Sequence, residues 1–383
     1  MQKRLTLIFN HFEEEHLGKD VFLVPKYLGR RLNASISIVY PETKTNKKFP
    51  KNIDGIDLIP LRFKKQLSWF PLWRTWNFYK YLITNAKSID FLMRFHLRNP
   101  HSVLMGIIYK FINPKGFYYL KLDIDPISLI NLPANIKNGL KNYIEKKFIS
   151  AFHNSLDLCS CETSLSYKLL HDVGKINPFY NFGDKLKLMP NGFDEDLLNS
   201  LKIKEKYYID KENIFITVGR LGTPQKKTDI ILQALASVDM KNWKFYLIGP
   251  IEDSFKPCIE DFFNRYPEKR DSVIFTGPIY EKKELWEYYN ISKVFVLTSA
   301  WESYALVLNE AKRFRNFMLS TDVGAFGDLS ESGKYGYTIE HGSYKSLSKA
   351  INDIINEDIN IDVYNNYNKE NLSWENMIKK LGL

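Results

Sequence analysis

Two carboxylates with seven residues between them, Glu302 and Glu310, stand in the string TSAWESYALVLNEAKRF, directly after the apolar run Val294–Thr298. If a helix starts near Tyr304, Glu302 falls in the loop leading into it and Glu310 on its second turn. At about 1.5 Å of rise per residue, the pair spans on the order of 10 Å. That reach suits a ligand with hydroxyls at both ends of a diphosphate. Ser303, Tyr304 and Ala305 would then open the helix, where free backbone N–H groups and the positive end of the dipole favour phosphate. The same spacing also fits two glutamates on a solvated helix face.

A second group is cationic. In VGRLGTPQKKTDIILQAL the apolar run Ile214–Val218 ends at Gly219, Arg220 follows, and Lys226 and Lys227 open a helical pattern. Arginine grips phosphate through a planar fork and lysine as a compact charge. Two fixed cations behind one strand can neutralise the charge growing on a departing diphosphate without a metal ion. A surface loop that is merely charged is the alternative.

Such residues need strands to carry them. In the first half, Arg4–Asn10, Ser35–Tyr40, Ile89–Phe95, Gly116–Leu122 and Leu156–Ser160 read as strands, and Gly18–Leu32, Arg74–Ala86 and Ile136–Phe152 as helices. In the second half, Ile214–Val218, Trp243–Ile248, Val273–Thr276, Val294–Thr298 and Phe317–Ser320 are short apolar runs ending at Gly, Pro or Ser. Helical patterns near Lys227–Ser237, Ile259–Tyr266, Lys283–Tyr289, Leu306–Phe314 and Ser346–Ile355 separate or follow them. This alternation predicts an α/β fold with parallel sheets covered on both faces. Ligands of such sheets bind beyond the carboxyl ends of the strands, where the residues above fall.

The chain of 383 residues has room for about two domains. Its 44% hydrophobic and 26% charged residues exclude a disordered or fibrous chain. Three cysteines, Cys159, Cys161 and Cys258, form no disulfide framework and fit a reducing compartment. No stretch reaches the roughly 18 apolar residues of a membrane span, since Lys110 breaks the longest candidate, Ser102–Ile112. The start, MQKRLTLIF, is too short for a signal peptide, and a cytoplasmic protein is expected. The net charge of +10 is uneven. Residues 1–200 hold 29 Lys and Arg against 18 Asp and Glu, a surplus of 11, whereas the remainder is close to neutral. One domain alone is therefore expected to meet an anionic surface or substrate.

The motifs of the second half occur in a familiar order: VGRL–QKKT (218–228), FYLIGP (245–250), VIFTGPI (273–279), FVLTSAWESYALVLNEA (295–311) and STDVGAFGDL (320–329). Together they resemble the nucleotide-binding domain of the retaining GT-B glycosyltransferases of family four (group 1). LMPNGFD (188–194) is similar to the family's turn before the second domain, and LSWENMIKKL (372–381) to its closing helix. Coverage is good over 186–383 and thin over 1–185. The resemblance implies two Rossmann-like doubly wound domains facing a cleft: an acceptor-binding domain over 1–195, a nucleotide-sugar-binding domain over 212–365, and a helix over 366–383 that returns to the first. The polar stretch LLNSLKIKEKYYIDKEN would connect them.

Carried over residue by residue, the resemblance implies that Arg220 and Lys226 grip the diphosphate. Glu302 would contact the donor sugar and Glu310 the ribose hydroxyls. Ser303, Tyr304 and Ala305 would give backbone contacts to phosphate, and Gly277, Pro278 and Ile279 would hold the base. Ala305 stands where the family usually has glycine. Gly18, in Leu17-Gly18-Lys19, falls where relatives often carry a glycine-rich loop near the donor phosphates. Asp123, after the strand in YYLKLDIDP, stands where many relatives have His-Asp and would orient the acceptor or the sugar; a purely structural aspartate is the other reading. His96, after the strand Ile89–Phe95, falls at the edge of the expected cleft, although a lone histidine is more often structural.

Two features point elsewhere. Asp123 and Asp125 form an Asp-x-Asp like that which holds a divalent ion in metal-dependent glycosyltransferases. The segment LRFKKQLSWFPLWRTWNFYKYL (61–82) interleaves Trp69, Phe70, Trp73, Trp76, Phe78, Tyr79 and Tyr81 with Arg62, Lys64, Lys65, Arg74 and Lys80. That pattern suits a helix lying on an anionic bilayer, or a core helix with a solvated basic edge. The expectation is a metal-independent retaining glycosyltransferase with a UDP- or GDP-sugar as donor and a glycan or glycolipid hydroxyl as acceptor, in cell-surface polysaccharide biosynthesis. It would use no cofactor and bind no nucleic acid. A metal-dependent enzyme using Asp123 and Asp125, or a basic nucleic-acid-binding protein, are the alternatives; a dinucleotide oxidoreductase is disfavoured because no Gly-x-Gly-x-x-Gly follows a strand.

Overall fold

The computed structural model describes residues 2–62, 75–97, 99–126, 129 and 140–383. The chain divides into two compact units, Met1–Gly192 with Trp374–Leu383, and Phe193–Ser373.

The first unit is built on strands β1 (Lys3–Ile8), β2 (Ala34–Pro41), β3 (Asn52–Ile53), β4 (Ile56–Leu61), β5 (Phe91–Phe95), β6 (Phe117–Lys121), β7 (Leu158–Cys161) and β8 (Leu186–Leu188). Their order is β3-β4-β2-β1-β5-β6-β7-β8. Every pairing is parallel except the β3–β4 hairpin at the edge. Helices α1 (Asp20–Leu32), α2 (Trp76–Asn85), α3 (Pro100–Ile112), α4 (Leu140–Ser155) and α5 (Ser164–Ile176) connect them. Both faces are covered, which is why the central strands β1, β5 and β6 read as mostly apolar runs. Leu7, Ile38, Met93 and Tyr119 pack toward α1 and the closing helix Trp374–Lys379, whereas Ile8, Val39, Leu92 and Leu120 pack toward α2 and α3. Helix α3, absent from the sequence reading, begins with Pro100 at a position where no N–H is needed, and Asn99 caps it by accepting from the His101 N–H at 3.0 Å.

The second unit has strands β9 (Glu212–Val218), β10 (Lys244–Ile248), β11 (Val273–Gly277), β12 (Ser292–Leu297), β13 (Phe317–Ser320) and β14 (Gly336–Thr338). They run in the order β11-β10-β9-β12-β13-β14, all parallel. This is the doubly wound order, and its direction reverses between β9 and β12. Helices α6 (Glu195–Leu201), α7 (Thr228–Leu235), α8 (Lys256–Arg265), α9 (Lys282–Ile291), α10 (Leu306–Arg313), α11 (Phe326–Ser330) and α12 (Tyr344–Ile355) cover its faces.

The unit boundaries differ from those expected. The first unit ends at Gly192, not 195, and only the last ten residues, not 366–383, rejoin it. The stretch expected as a connector is part of the second unit. Asp194 caps α6 by accepting from the Leu197 N–H at 3.1 Å, and Ile203 is buried. Glu205 accepts hydrogen bonds from Arg313 (3.0 Å), Arg315 (2.9 Å) and Lys369 (2.5 Å). Glu205 thus serves an ion network, while Lys202, Lys204 and Asp210 face solvent. Of the basic aromatic segment 61–82, residues 63–74 lie outside the described residues.

Candidate active site

The reversal point of the second sheet brings two loops together. One follows β9 and holds Gly219 to Lys227; the other follows β12 and holds Thr298 to Glu302. The Ala300 N–H donates to the Gln225 carbonyl at 2.7 Å, and the Gln225 side chain donates to the Trp301 carbonyl at 3.1 Å. The Thr298 hydroxyl donates to the Lys226 carbonyl at 2.8 Å. A Cβ on Gly249 would fall 1.8 Å from the Gly219 carbonyl oxygen, so only glycine lets the end of β10 approach this loop.

Within this frame Lys226 Nζ lies 2.6 Å from Glu302 Oε1, and the Ser299 hydroxyl donates to the same oxygen at 2.8 Å. Both side chains are largely buried, at 17% and 10% exposure. Arg220 is exposed and reaches Gln225 Oε1 at 3.4 Å. Arg220, Lys226 and Glu302 therefore share one stitched pair of loops.

Glu310 stands on the second turn of α10, as the spacing predicts. The buried Trp286 indole donates to its Oε1 at 3.0 Å, and the Lys282 ammonium pairs with the same oxygen. Lys282 also lies over the Trp286 ring, 5.2 Å from its centroid. Ala305 caps α10 with φ 70° and ψ 72°, so the left-handed backbone that favours glycine is kept with alanine in place. Ser303 is exposed, whereas Tyr304 is buried and donates its hydroxyl to Asn309 at 3.1 Å. Its ring is core, and its carbonyl accepts from the Ala325 N–H at 2.9 Å. Gly277 ends β11 with φ 75°, followed by Pro278 and Ile279, and its carbonyl accepts from the Gly249 N–H at 2.9 Å.

Asp123 belongs to the first unit. It follows β6, and its carboxylate lies 3.2 Å from His96 Nδ1 at the end of β5. Both residues have positive φ, 42° and 64°. Burial pushes the Asp123 carboxyl up, but the hydrogen bond from His96 and the charge of Lys121 outweigh it and hold the group below its ordinary range. Gly18 lies before α1 with open space where a Cβ would stand, so nothing in the packing calls for glycine there.

Sequence reasoning misses several partners. Ser299 and Gln225 take their roles from the pairing of two distant loops, and Lys282 and Trp286 from the packing of α9 beside α10. Lys121 is missed as well: fully buried, it donates to Asp20 at 2.8 Å and to Glu162 at 2.5 Å. Its one signal is a charge inside the apolar run YYLKL. Among the described residues, no group of three or more His, Cys, Asp or Glu side chains converges as a metal site. Nor is any helix there long and apolar enough to cross a membrane.

Anabaena HepE in complex with UDP-glucose shares this fold over 99% of this chain and 98% of its own, with a TM-score of 0.64 and 14% identity. The protein is thus built on the two-domain architecture of GT-B glycosyltransferases. Residues 199–372 match the family described as Glycosyl transferases group 1. The chain is similar to the amylovoran biosynthesis glycosyltransferase AmsD of Erwinia amylovora, 26% identical over 211 residues that cover 55% of this chain and 52% of AmsD. The match thus spans about half of AmsD's length. It is also similar to the capsular polysaccharide biosynthesis glycosyltransferase CapM of Staphylococcus aureus, 22% identical over 339 residues, or 86% of this chain and 82% of CapM.

Proposed function

We propose that the protein is a retaining glycosyltransferase of polysaccharide biosynthesis. It moves a sugar from a UDP- or GDP-sugar to a hydroxyl of a glycan or lipid-linked glycan. The observation that carries this reading is the Lys226–Glu302 pair at the reversal point of the second sheet, with Arg220 alongside. Arg220 and Lys226 take the diphosphate, Glu302 the sugar hydroxyls and Glu310 the ribose. The backbone of Ser303, Tyr304 and Ala305 faces phosphate, and Gly277, Pro278 and Ile279 face the base. The bond from C1 to the phosphate oxygen breaks, and its electrons leave with the nucleotide. The acceptor oxygen bonds C1 on the same face, and its proton passes to the departing phosphate. The cations stabilise charge that exists only as that bond breaks, so they act on turnover. Asp123, backed by His96, orients the acceptor. No divalent ion is required, because cationic side chains meet the diphosphate.

The test is binding and hydrolysis across a panel of UDP- and GDP-sugars, with Lys226→Ala alongside. Selective binding of a sugar nucleotide that the variant turns over far more slowly is expected. Turnover abolished by EDTA and restored by Mn²⁺ would favour Asp123 and Asp125 as metal holders instead.

A lipid-linked acceptor would place the protein at a membrane. Helices α2 and α3 of the first unit pack together and leave Trp76 (57%), Ile83 (50%) and Phe111 (87%) exposed. The exposed Lys80, Lys87 and Lys115 lie in or beside them. Exposed aromatic and basic side chains of this kind suit anionic headgroups. Retention by anionic but not neutral vesicles at low salt is expected; equal retention by both would sink this reading.

A further inference from the structure

The acid-base cluster of the first unit extends well below Asp123. Lys121 ends β6 fully buried, and its ammonium is held by Asp20 Oδ2 at 2.8 Å and Glu162 Oε1 at 2.5 Å. Asp20 is the first residue of α1, and Glu162 directly follows β7. Glu162 is itself 2% exposed, and the same Oε1 accepts the Asp123 backbone N–H at 3.2 Å. One carboxylate oxygen therefore joins the buried ammonium to the peptide of the left-handed residue. The neighbouring backbone is stitched on both sides. The Leu122 N–H donates to the Ser160 carbonyl at 2.8 Å, the Ser166 hydroxyl to the Ile124 carbonyl at 3.2 Å, and the His96 N–H to the Lys121 carbonyl at 3.0 Å.

Two strained residues at the ends of neighbouring strands persist only where their surroundings over-determine them. A buried ion cluster is weak evidence of stability, since apolar residues of similar volume often do as well. Its geometry here is better explained by what it holds. Burial opposes the Lys121 charge, but the Asp20 and Glu162 carboxylates outweigh it and keep the ammonium protonated. Without that ammonium Glu162 would be a buried anion lacking a counter-charge. It would take a proton or swing toward water, and the Asp123 N–H would lose its acceptor.

We propose that Lys121 is a positioning residue: clamped between Asp20 and Glu162, it fixes the carboxylate that holds the turn at Asp123, and so aims the Asp123 and His96 side chains at the acceptor hydroxyl. The inference rests on the function proposed above. Lys121 touches no reacting atom and acts through Glu162 and Asp123.

The test compares Lys121→Met, Glu162→Leu and Glu162→Gln with the wild type under saturating donor. Glu162→Leu leaves Lys121 paired with Asp20 and carries the test if Lys121→Met does not fold. Misplacement of a catalytic group by about 1 Å costs on the order of 10²-fold. Glu162→Leu should accordingly lower kcat about 10- to 100-fold while the donor KM, set in the second unit, stays within about threefold. Glutamine retains an oxygen that accepts from both Lys121 and the Asp123 N–H, so Glu162→Gln should recover most of the lost turnover. Hydrogen exchange at the Asp123 amide should quicken in Glu162→Leu and not in Glu162→Gln. Unaltered kcat in a folded Glu162→Leu, or an equal loss in Glu162→Gln, would overturn the positioning role. Absence of transfer by the wild type with every donor would overturn the proposed function, and this inference with it.

Discussion

Lys226 and Glu302, 76 residues apart in the chain, meet at 2.6 Å where the second sheet reverses its strand order. The lysine is aimed before any ligand arrives, because Glu302 holds its ammonium and Gly219 gives its stem room: a Cβ there would lie 3.0 Å from Lys226 Cε. Lys226→Ala should lower kcat about 10²- to 10³-fold, as loss of one donor to a developing oxyanion does. It also leaves Glu302 without its cation, a loss of about 1–3 kcal/mol. Steady-state kinetics and urea unfolding read the two effects separately, and a variant with wild-type kcat would exclude Lys226 from the reaction.

Glu310 is bound by groups that a ribose would have to share or replace, the Trp286 indole and the Lys282 ammonium. A ribose contact is made equally before and during the reaction, so its loss should raise KM and spare kcat. Glu310→Ala is expected to weaken nucleotide binding about tenfold, with kcat at saturating donor within about threefold of wild type. Calorimetric titration with free UDP or GDP gives the first number; unchanged affinity would remove Glu310 from the nucleotide site.

Two backbone positions predict opposite outcomes. Ala305 sits at φ 70°, where an L side chain costs roughly 1 kcal/mol, so Ala305→Gly should leave stability unchanged or raise it by up to about 1 kcal/mol. Gly249→Ala would drive a methyl to 1.8 Å from the Gly219 carbonyl oxygen. A loss above about 3 kcal/mol, or failure to fold, is expected. Thermal melts of the two variants side by side test both.

Acid should loosen the second unit through Glu205. Burial pushes its carboxyl up, but hydrogen bonds from Arg313 and Lys369, with the charge of Arg313, outweigh this and hold it at about 2. The folded value lies below the unfolded one, so the contribution is complete above about pH 4.5 and drains away as pH falls toward 2. Allowing for solvent at the site, it amounts to about 1–2 kcal/mol. Glu205→Gln should flatten the pH dependence of urea unfolding between these limits; an unchanged slope would place the acid sensitivity elsewhere.

Strands β9, β10, β12 and β13 are legible because they are largely buried on both faces and so read as apolar runs. Strands β8 and β14, at three residues each, are too short to stand out. Helix α3 presents enough apolar residues to be weighed only as a membrane segment, and α6 reads as linker because the carboxylates of Glu195 and Glu205, which look solvated in the sequence, pair with the buried Arg313. The site divides in the same way. Lys226, Glu302 and Glu310 are local to strand ends and visible by spacing. Lys121 is not, since its meaning depends on Asp20 and Glu162, which lie 101 and 41 positions away.

Gly192 and Phe193 mark where the chain leaves the first unit, and Ser373 and Trp374 where it comes back. A Cβ on Gly192 would strike the Trp374 backbone at 2.6 Å, and the Phe193 N–H donates to the Leu372 carbonyl at 2.8 Å. Residues 193–373 therefore form a single uninterrupted cassette whose two ends are already fastened side by side. Such a cassette can be lifted out whole, or exchanged for that of a relative, with only two adjoining splice points and no added linker.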